Sequence, residues 1–271
     1  MGEKPITINL KGSIMAVASK AESTEISVME INTGRMEIYI VGTTPIICNR
    51  MSEKAMRELL APAGKKTAAE KSSTLKHHPL EEFRASPYVL PDDDSPTLIA
   101  GLSTWFKRSM MSAALDMPGA KKTQIGRLTW VEGQRVPVYG VPQIFSAIVR
   151  SADMARTPDV RTRCIIPQWA CSVTICFVKP ALREKSVLNL LAAAGMTIGV
   201  GDWRNEKGSA NYGSYRLTTP DDPEYQAIVA SGGRAVQQAA MADPVAYDDE
   251  TSELLAWYNT EVKRRGFKVA A

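Results

Sequence analysis

Cysteine, histidine and long apolar runs are all scarce in this chain of 271 residues. The four cysteines, Cys48, Cys164, Cys171 and Cys176, form no C-x-x-C pair, and the two histidines, His77 and His78, are adjacent. A zinc site needs ligands at repeated short spacings, so no metal site is expected. Cys164, Cys171 and Cys176 stand among apolar residues and read as small buried hydrophobes in a reducing compartment. No apolar run approaches the roughly 18–20 residues that span a bilayer. The longest, Ala170–Val178 and Val187–Ala194, fall well short. Met1-Gly2-Glu3-Lys4-Pro5 lacks the apolar centre of a signal peptide, and Ile6 stands where a myristoylation signal wants Ser or Thr. The expectation is a cytoplasmic protein without a membrane partner.

Common catalytic signatures are missing as well. There is no G-x-x-x-x-G-K-[ST], no H-x-x-x-H and no G-x-S-x-G. Gly199-Val200-Gly201 opens like a dinucleotide fingerprint, but Arg204 occupies the third glycine position, and a helix precedes it where a strand is required. No cofactor is expected. Asp202 and Glu206 have the spacing of a metal-binding pair, but they alternate with Arg204 and Lys207, so ion pairing is the simpler account.

Hydrophobic residues make up 44% of the chain and charged residues 23%, the balance of a soluble globular protein of one large or two small domains. The net charge of +4 is small, but its distribution is uneven. Residues 104–163 hold ten basic and four acidic side chains, whereas residues 218–253 hold eight acids against Arg234 alone. Such segregation is expected where one surface meets phosphates and another does not.

Residues 1–34 read as an N-terminal arm. Met36–Gly42 alternates as a strand with Met36, Ile38 and Ile40 on one face, and Thr43–Arg50 reads as a second extended piece. A helix capped by Ser52 follows, inside an insertion at about residues 50–95 that contains a Lys-, Ala- and Ser/Thr-rich stretch. A helix is predicted from Ser95-Pro96 to about Leu115. After it come a basic loop at 116–126, short strands at Leu128–Val131 and Val136–Tyr139, and a basic excursion at Arg150–Arg163. Val160–Ile166 and Trp169–Val178 are β-rich, Lys185–Ala194 is helical, and Tyr212–Leu217 can form a strand. Two β-α-β halves emerge. The predicted fold is α+β, an RRM- or ferredoxin-like split β-α-β sheet over residues 35–217 with long inserted excursions. Residues 218–271 form an acidic C-terminal extension ending in a helix at Ser252–Arg265.

The helix Leu188–Gly195, the glycines Gly199, Gly201, Gly208 and Gly213, and the short strand Tyr215–Leu217 together resemble the signature loop of the RAMP superfamily. That superfamily includes RNA-binding backbone and processing subunits of CRISPR surveillance complexes. Pro167-Gln168-Trp169 and the run Gly199–Lys207 are also similar to a group of bacteriophage proteins with a G-x-G-[DE]-W-R-x-E-K loop. The resemblance implies a protein that binds single-stranded RNA or DNA and assembles into oligomers or filaments along the strand. His77 and His78 lie in the excursion and match no catalytic histidine of processing members, which favours binding over cleavage and a chain that is not an enzyme.

On this reading the glycines bring backbone N–H groups to phosphates as an anion nest. Lys107, Arg108, Lys121, Lys122, Arg156, Arg161, Arg163, Arg204, Lys207 and Arg216 supply charge, and Trp203, Tyr212 and Tyr215 stack on bases. Trp203, Tyr212 and Tyr215 also read as core or loop-packing residues, and Lys121, Lys122, Arg161 and Arg163 as solubilising charge. Trp105 and Trp169 read as core. Two other functions stay open: a self-assembling structural protein that pairs its basic segment with a neighbour's acidic one, and a metal-dependent nuclease using Asp202 and Glu206.

Overall fold

A computed structural model describes residues 30–61, 75–150, 158–207 and 210–266. The N-terminal arm up to residue 29, most of the Lys-rich stretch, Arg156, Gly208 and the Lys207 side chain lie outside the described residues.

The first strand, β1 (Asn32–Gly42), sends Ile38 and Ile40 into the main core and Tyr39 and Val41 to the opposite face, as a two-residue period requires. A short strand, β2 (Ile46–Ile47), precedes α1 (Glu53–Leu60). Ser52 caps α1 by accepting a hydrogen bond from the Ala55 N–H at 3.3 Å. Helix α2 (Pro79–Ala85) has proline in its first turn and buries Phe83. Strands β3 (Tyr88–Val89) and β4 (Ile99–Leu102) come next, then α3 (Ser103–Ala113), which buries Phe106, Met110 and Ala113.

The helix expected from Ser95-Pro96 therefore begins eight residues later. Leu98 and Ile99 donate their N–H groups to the Gln237 side-chain oxygen at 2.9 Å, and Ala100–Leu102 pair with another strand. These tertiary hydrogen bonds override a local pattern that suits either state. The predicted 116–126 loop likewise ends in a helix, α4 (Lys122–Leu128).

Strands β5 (Thr129–Val131) and β6 (Arg135–Pro137) flank the Glu132-Gly133 turn but join different sheets. Strands β7 (Gln143–Arg150) and β8 (Pro158–Ile166) pair antiparallel and take up the described ends of the predicted basic excursion, whose residues 151–157 lie outside the described residues. Strand β9 (Ala170–Lys179), helix α5 (Glu184–Thr197) and strand β10 (Tyr215–Thr218) close the central part. The acidic extension holds α6 (Pro223–Ser231) and α7 (Arg234–Ala242), which the charge reading did not reveal, before the terminal helix α8 (Asp249–Arg264).

The fold is α+β with antiparallel sheets. The principal sheet runs β10-β1-β9-β5; α3 lies in the connection from β1 to β5, and α5 in that from β9 to β10. Both helices pack on the Ile38/Ile40 face with Val173, Ile175 and Phe177 of β9. Part of the other face is covered by α6, whose Tyr225 and Ile228 meet Val41 and Ala170. A second sheet, β2-β8-β7, and a third, β3-β4-β6, are built from the chain between β1 and β9. All four cysteines are buried and free, and Trp169 is buried in the core, as expected; Trp105 packs at its edge.

Candidate nucleic-acid interface

The glycine-rich loop hangs between α5 and β10. Gly199, Gly201 and Gly213 have φ values of +76°, +81° and +73°, the left-handed region where a side chain is costly. A Cβ on Gly199 would come within 2.9 Å of the Gly213 carbonyl oxygen, and one on Gly201 within 2.8 Å of the Ile47 oxygen. The loop is stitched from within: Gly199 donates to Ala194, Val200 to Gly213, and Gly213 to Pro45, each at 2.8 Å, while Asp202 donates to Ile47 at 3.0 Å. These amides are spent inside the protein. The Gly199 and Gly213 amides are therefore not open to a phosphate: they form a tight backbone-on-backbone joint that anchors the loop to the β1–β2 turn, while Gly208 of the expected nest lies outside the described residues.

What the joint presents is an aromatic cluster. Phe145 of β7 lies 6.3 Å from Trp203, 6.3 Å from Tyr212 and 5.5 Å from Tyr247, ring centre to ring centre. Trp203 and Tyr212 are 6.2 Å apart. Phe145 is buried, whereas the other three rings are half-exposed. Trp203 itself has φ +49°, rare for a bulky residue, so the surrounding contacts hold it in a strained conformation. The packing reading of Trp203 holds: the half-buried ring packs against Phe145 and Tyr212.

Arg163 of β8 lies over the Trp203 ring at 5.1 Å and donates through Nη1 to Asp202 at 2.6 Å. It is 8% exposed, and burial lowers its pKa against the opposing pull of Asp202. Asn49 donates to the same Asp202 carboxylate at 3.0 Å. Arg163 also lines a cleft of about 560 Å³ together with Asn49, Arg50, Lys76, His77 and Arg161. Cleft and aromatic cluster thus share Arg163 as a wall. His77 stands between two acids, with Nδ1 2.8 Å from Glu82 and Nε2 2.9 Å from Asp159. Lys76 donates to Asp159 at 2.5 Å. Burial raises the Asp159 pKa, but hydrogen bonds from Lys76 and His77 outweigh it and leave the carboxyl below its usual range.

The structure brings together only part of the predicted site. Arg163, Trp203 and Tyr212 converge, and Arg161 joins Arg163 in lining the cleft. Arg204 belongs to the loop, but its guanidinium is pinned on Glu206 at 2.8 and 2.6 Å and on the Gly201 carbonyl. Tyr215 is 1% exposed and packs on Phe106 and Trp169, so it is core and has no open face for a base. Arg216 is paired with Asp222 at 3.0 Å and Glu224 at 2.7 Å, and its guanidinium holds the Asp222 carboxyl well below the usual range. Lys107 and Arg108 sit on α3, and Lys121 and Lys122 at the start of α4; none of these four lines the cleft.

Sequence reasoning missed Asn49, Arg50, His77, Phe145 and Tyr247. Only the turn-prone Asn49 and the adjacent histidines carried a local signal; Phe145 and Tyr247 are joined to the site by tertiary contacts. Among the described residues, no group of three or more His, Cys, Asp or Glu has the geometry to hold a metal ion, and no helix is long and apolar enough to cross a membrane.

No model of a known protein family matches the chain, and no curated protein sequence is similar to it. Among solved structures, the fold shows a distant likeness to the crystal structure of Cmr6 from Pyrococcus furiosus. The likeness covers 69% of this chain and 98% of that one, at 9% identity and a TM-score of 0.35, too low to carry a conclusion about either fold or function.

Proposed function

We propose that the chain binds single-stranded RNA or DNA without cutting it and that copies assemble along the strand. The observation that carries this reading is the half-buried trio Trp203, Tyr212 and Tyr247 on a buried Phe145, with Arg163 over the Trp203 ring. Aromatic faces beside guanidinium groups suit unpaired bases and a phosphate backbone, and they discriminate little between sequences. The strand order β10-β1-β9-β5, with a helix in each half, supports a ferredoxin- or RRM-like split β-α-β core. The loop's resemblance to the RAMP superfamily and to the bacteriophage proteins supports the same reading, with a phage-encoded protein acting in the host cytoplasm.

The test is fluorescence anisotropy with labelled single-stranded RNA and DNA and with duplex controls, at low and moderate salt, alongside particle sizing of the complexes. Tight binding of single strands over duplex, with growth in particle size, is the expected result. Absence of strand binding at low salt, or an equal preference for duplex, would refute the proposal.

A further inference from the structure

The cleft beside the aromatic cluster has a charge balance that strand stacking does not explain. Its two acidic lining residues, Glu82 and Asp159, are already engaged: both face His77, and Asp159 also holds Lys76. Arg163 is matched by Asp202. Two cations are left over. Arg50 is half-buried with no acidic partner among the described residues, and Arg161 reaches Asp159 only at 3.9 Å. In addition, Arg163 Nε is buried and makes no hydrogen bond. A buried guanidinium donor left unpaired is uncommon.

We infer that this cleft is a binding site for a phosphate group, held by Arg50 and Arg163 with Arg161 at its edge. Guanidinium groups present planar forks of donors that match phosphate oxygens, and two of them without a close acidic partner suit an anionic phosphate. The volume of about 560 Å³ falls in the range of small-ligand sites and accommodates more than the phosphate alone. The phosphate belongs either to the bound strand or to a free nucleotide; the recognition chemistry is the same. This inference goes beyond strand binding and does not depend on it.

The experiment uses the whole chain and inorganic phosphate as the probe. Thermal melts are recorded in sodium phosphate and in sodium chloride of matched ionic strength, followed by calorimetric titration of wild type, Arg50→Ala, Arg161→Ala and the remote control Lys121→Ala. The expected result is a rise in Tm of at least about 2 °C specific to phosphate, with affinity reduced roughly tenfold or more in Arg50→Ala and unchanged in Lys121→Ala. Arg161, being exposed, supplies a variant that keeps the test decisive if Arg50→Ala does not fold, and it is expected to weaken phosphate binding severalfold. No phosphate-specific stabilisation of the wild type, or equal stabilisation in both arginine variants, would overturn the inference.

Two further arms separate the sources. If the strand supplies the group, phosphate competes with a labelled single strand; if a free nucleotide supplies it, a nucleoside monophosphate binds without displacing the strand. Phosphate binding without strand binding would retain this site and remove the proposed function. Strand binding without a phosphate effect would do the reverse.

Discussion

Gly213 adopts φ +73°, and a methyl group placed there would run into the Val200 carbonyl oxygen. Both the backbone conformation and the collision oppose any side chain. Gly213→Ala is expected to cost at least about 2 kcal/mol, seen as a fall in Tm of several degrees, while the folded fraction keeps its strand affinity. A loop serving as a phosphate nest would lose affinity as well, so the pair of measurements separates the two roles. Trp203 makes the complementary case. Removing its ring with Trp203→Ala is expected to weaken single-strand binding by about 1–3 kcal/mol, measured by anisotropy, with duplex binding unaffected. The glycine spacing was legible as a loop because glycine marks special backbone at any depth. Its purpose was not legible, because the partner of the Gly213 amide is Pro45, far away in the chain. Tyr215 stayed open for a related reason: a tyrosine in a short strand looks the same whether its face is open or packed.

At the scale of elements, helices and strands with strong periodicity were readable: β1, β9, α5 and α8 fall close to their expected ranges. The errors cluster where a segment's partner is distant. Ile99–Leu102 is a strand because β6 and Gln237 take up its backbone groups, and nothing in its own residues demands it. The junction between α2 and β8 shows the same dependence. Glu82 and Asp159 are drawn together by His77, and Lys76 adds to the Asp159 side. The lowered Asp159 pKa fixes the sign of its pH effect: its contribution to stability is present above the normal carboxylate range and is lost as pH falls through the folded-state value. Asp159→Asn is therefore expected to be less stable than wild type at neutral pH and to show a shallower loss of Tm on acidification below about pH 4. Parallel acid-side slopes for the two proteins would contradict this role.

For the molecule as a whole, the segregation of charge was visible in the sequence, yet the basic segment does not form one surface. Lys121 and Lys122 emerge on α4, away from the cleft lining, while Arg161 stands on its edge. Removing Lys121 and Lys122 together is expected to leave single-strand affinity within about twofold, whereas Arg161→Ala is expected to reduce the salt slope of binding by about 0.7. Titrations at several salt concentrations distinguish the two. Equal losses would move the strand path onto the helical side of the principal sheet.

The central ladder of that sheet also governs how the chain can fold. Strand β1 pairs with β9 along its whole length, from Asn32 opposite Lys179 to Val41 opposite Ala170. The intervening insertions put the partners well over a hundred residues apart, so the main core closes only after a large loop-entropy cost has been met. On the ribosome, β1 leaves the tunnel and waits about ten seconds for β9 to be made. Throughout that interval Ile38 and Ile40 have no sheet to join, so the first half of the core is expected to stay open to solvent until β9 has been made.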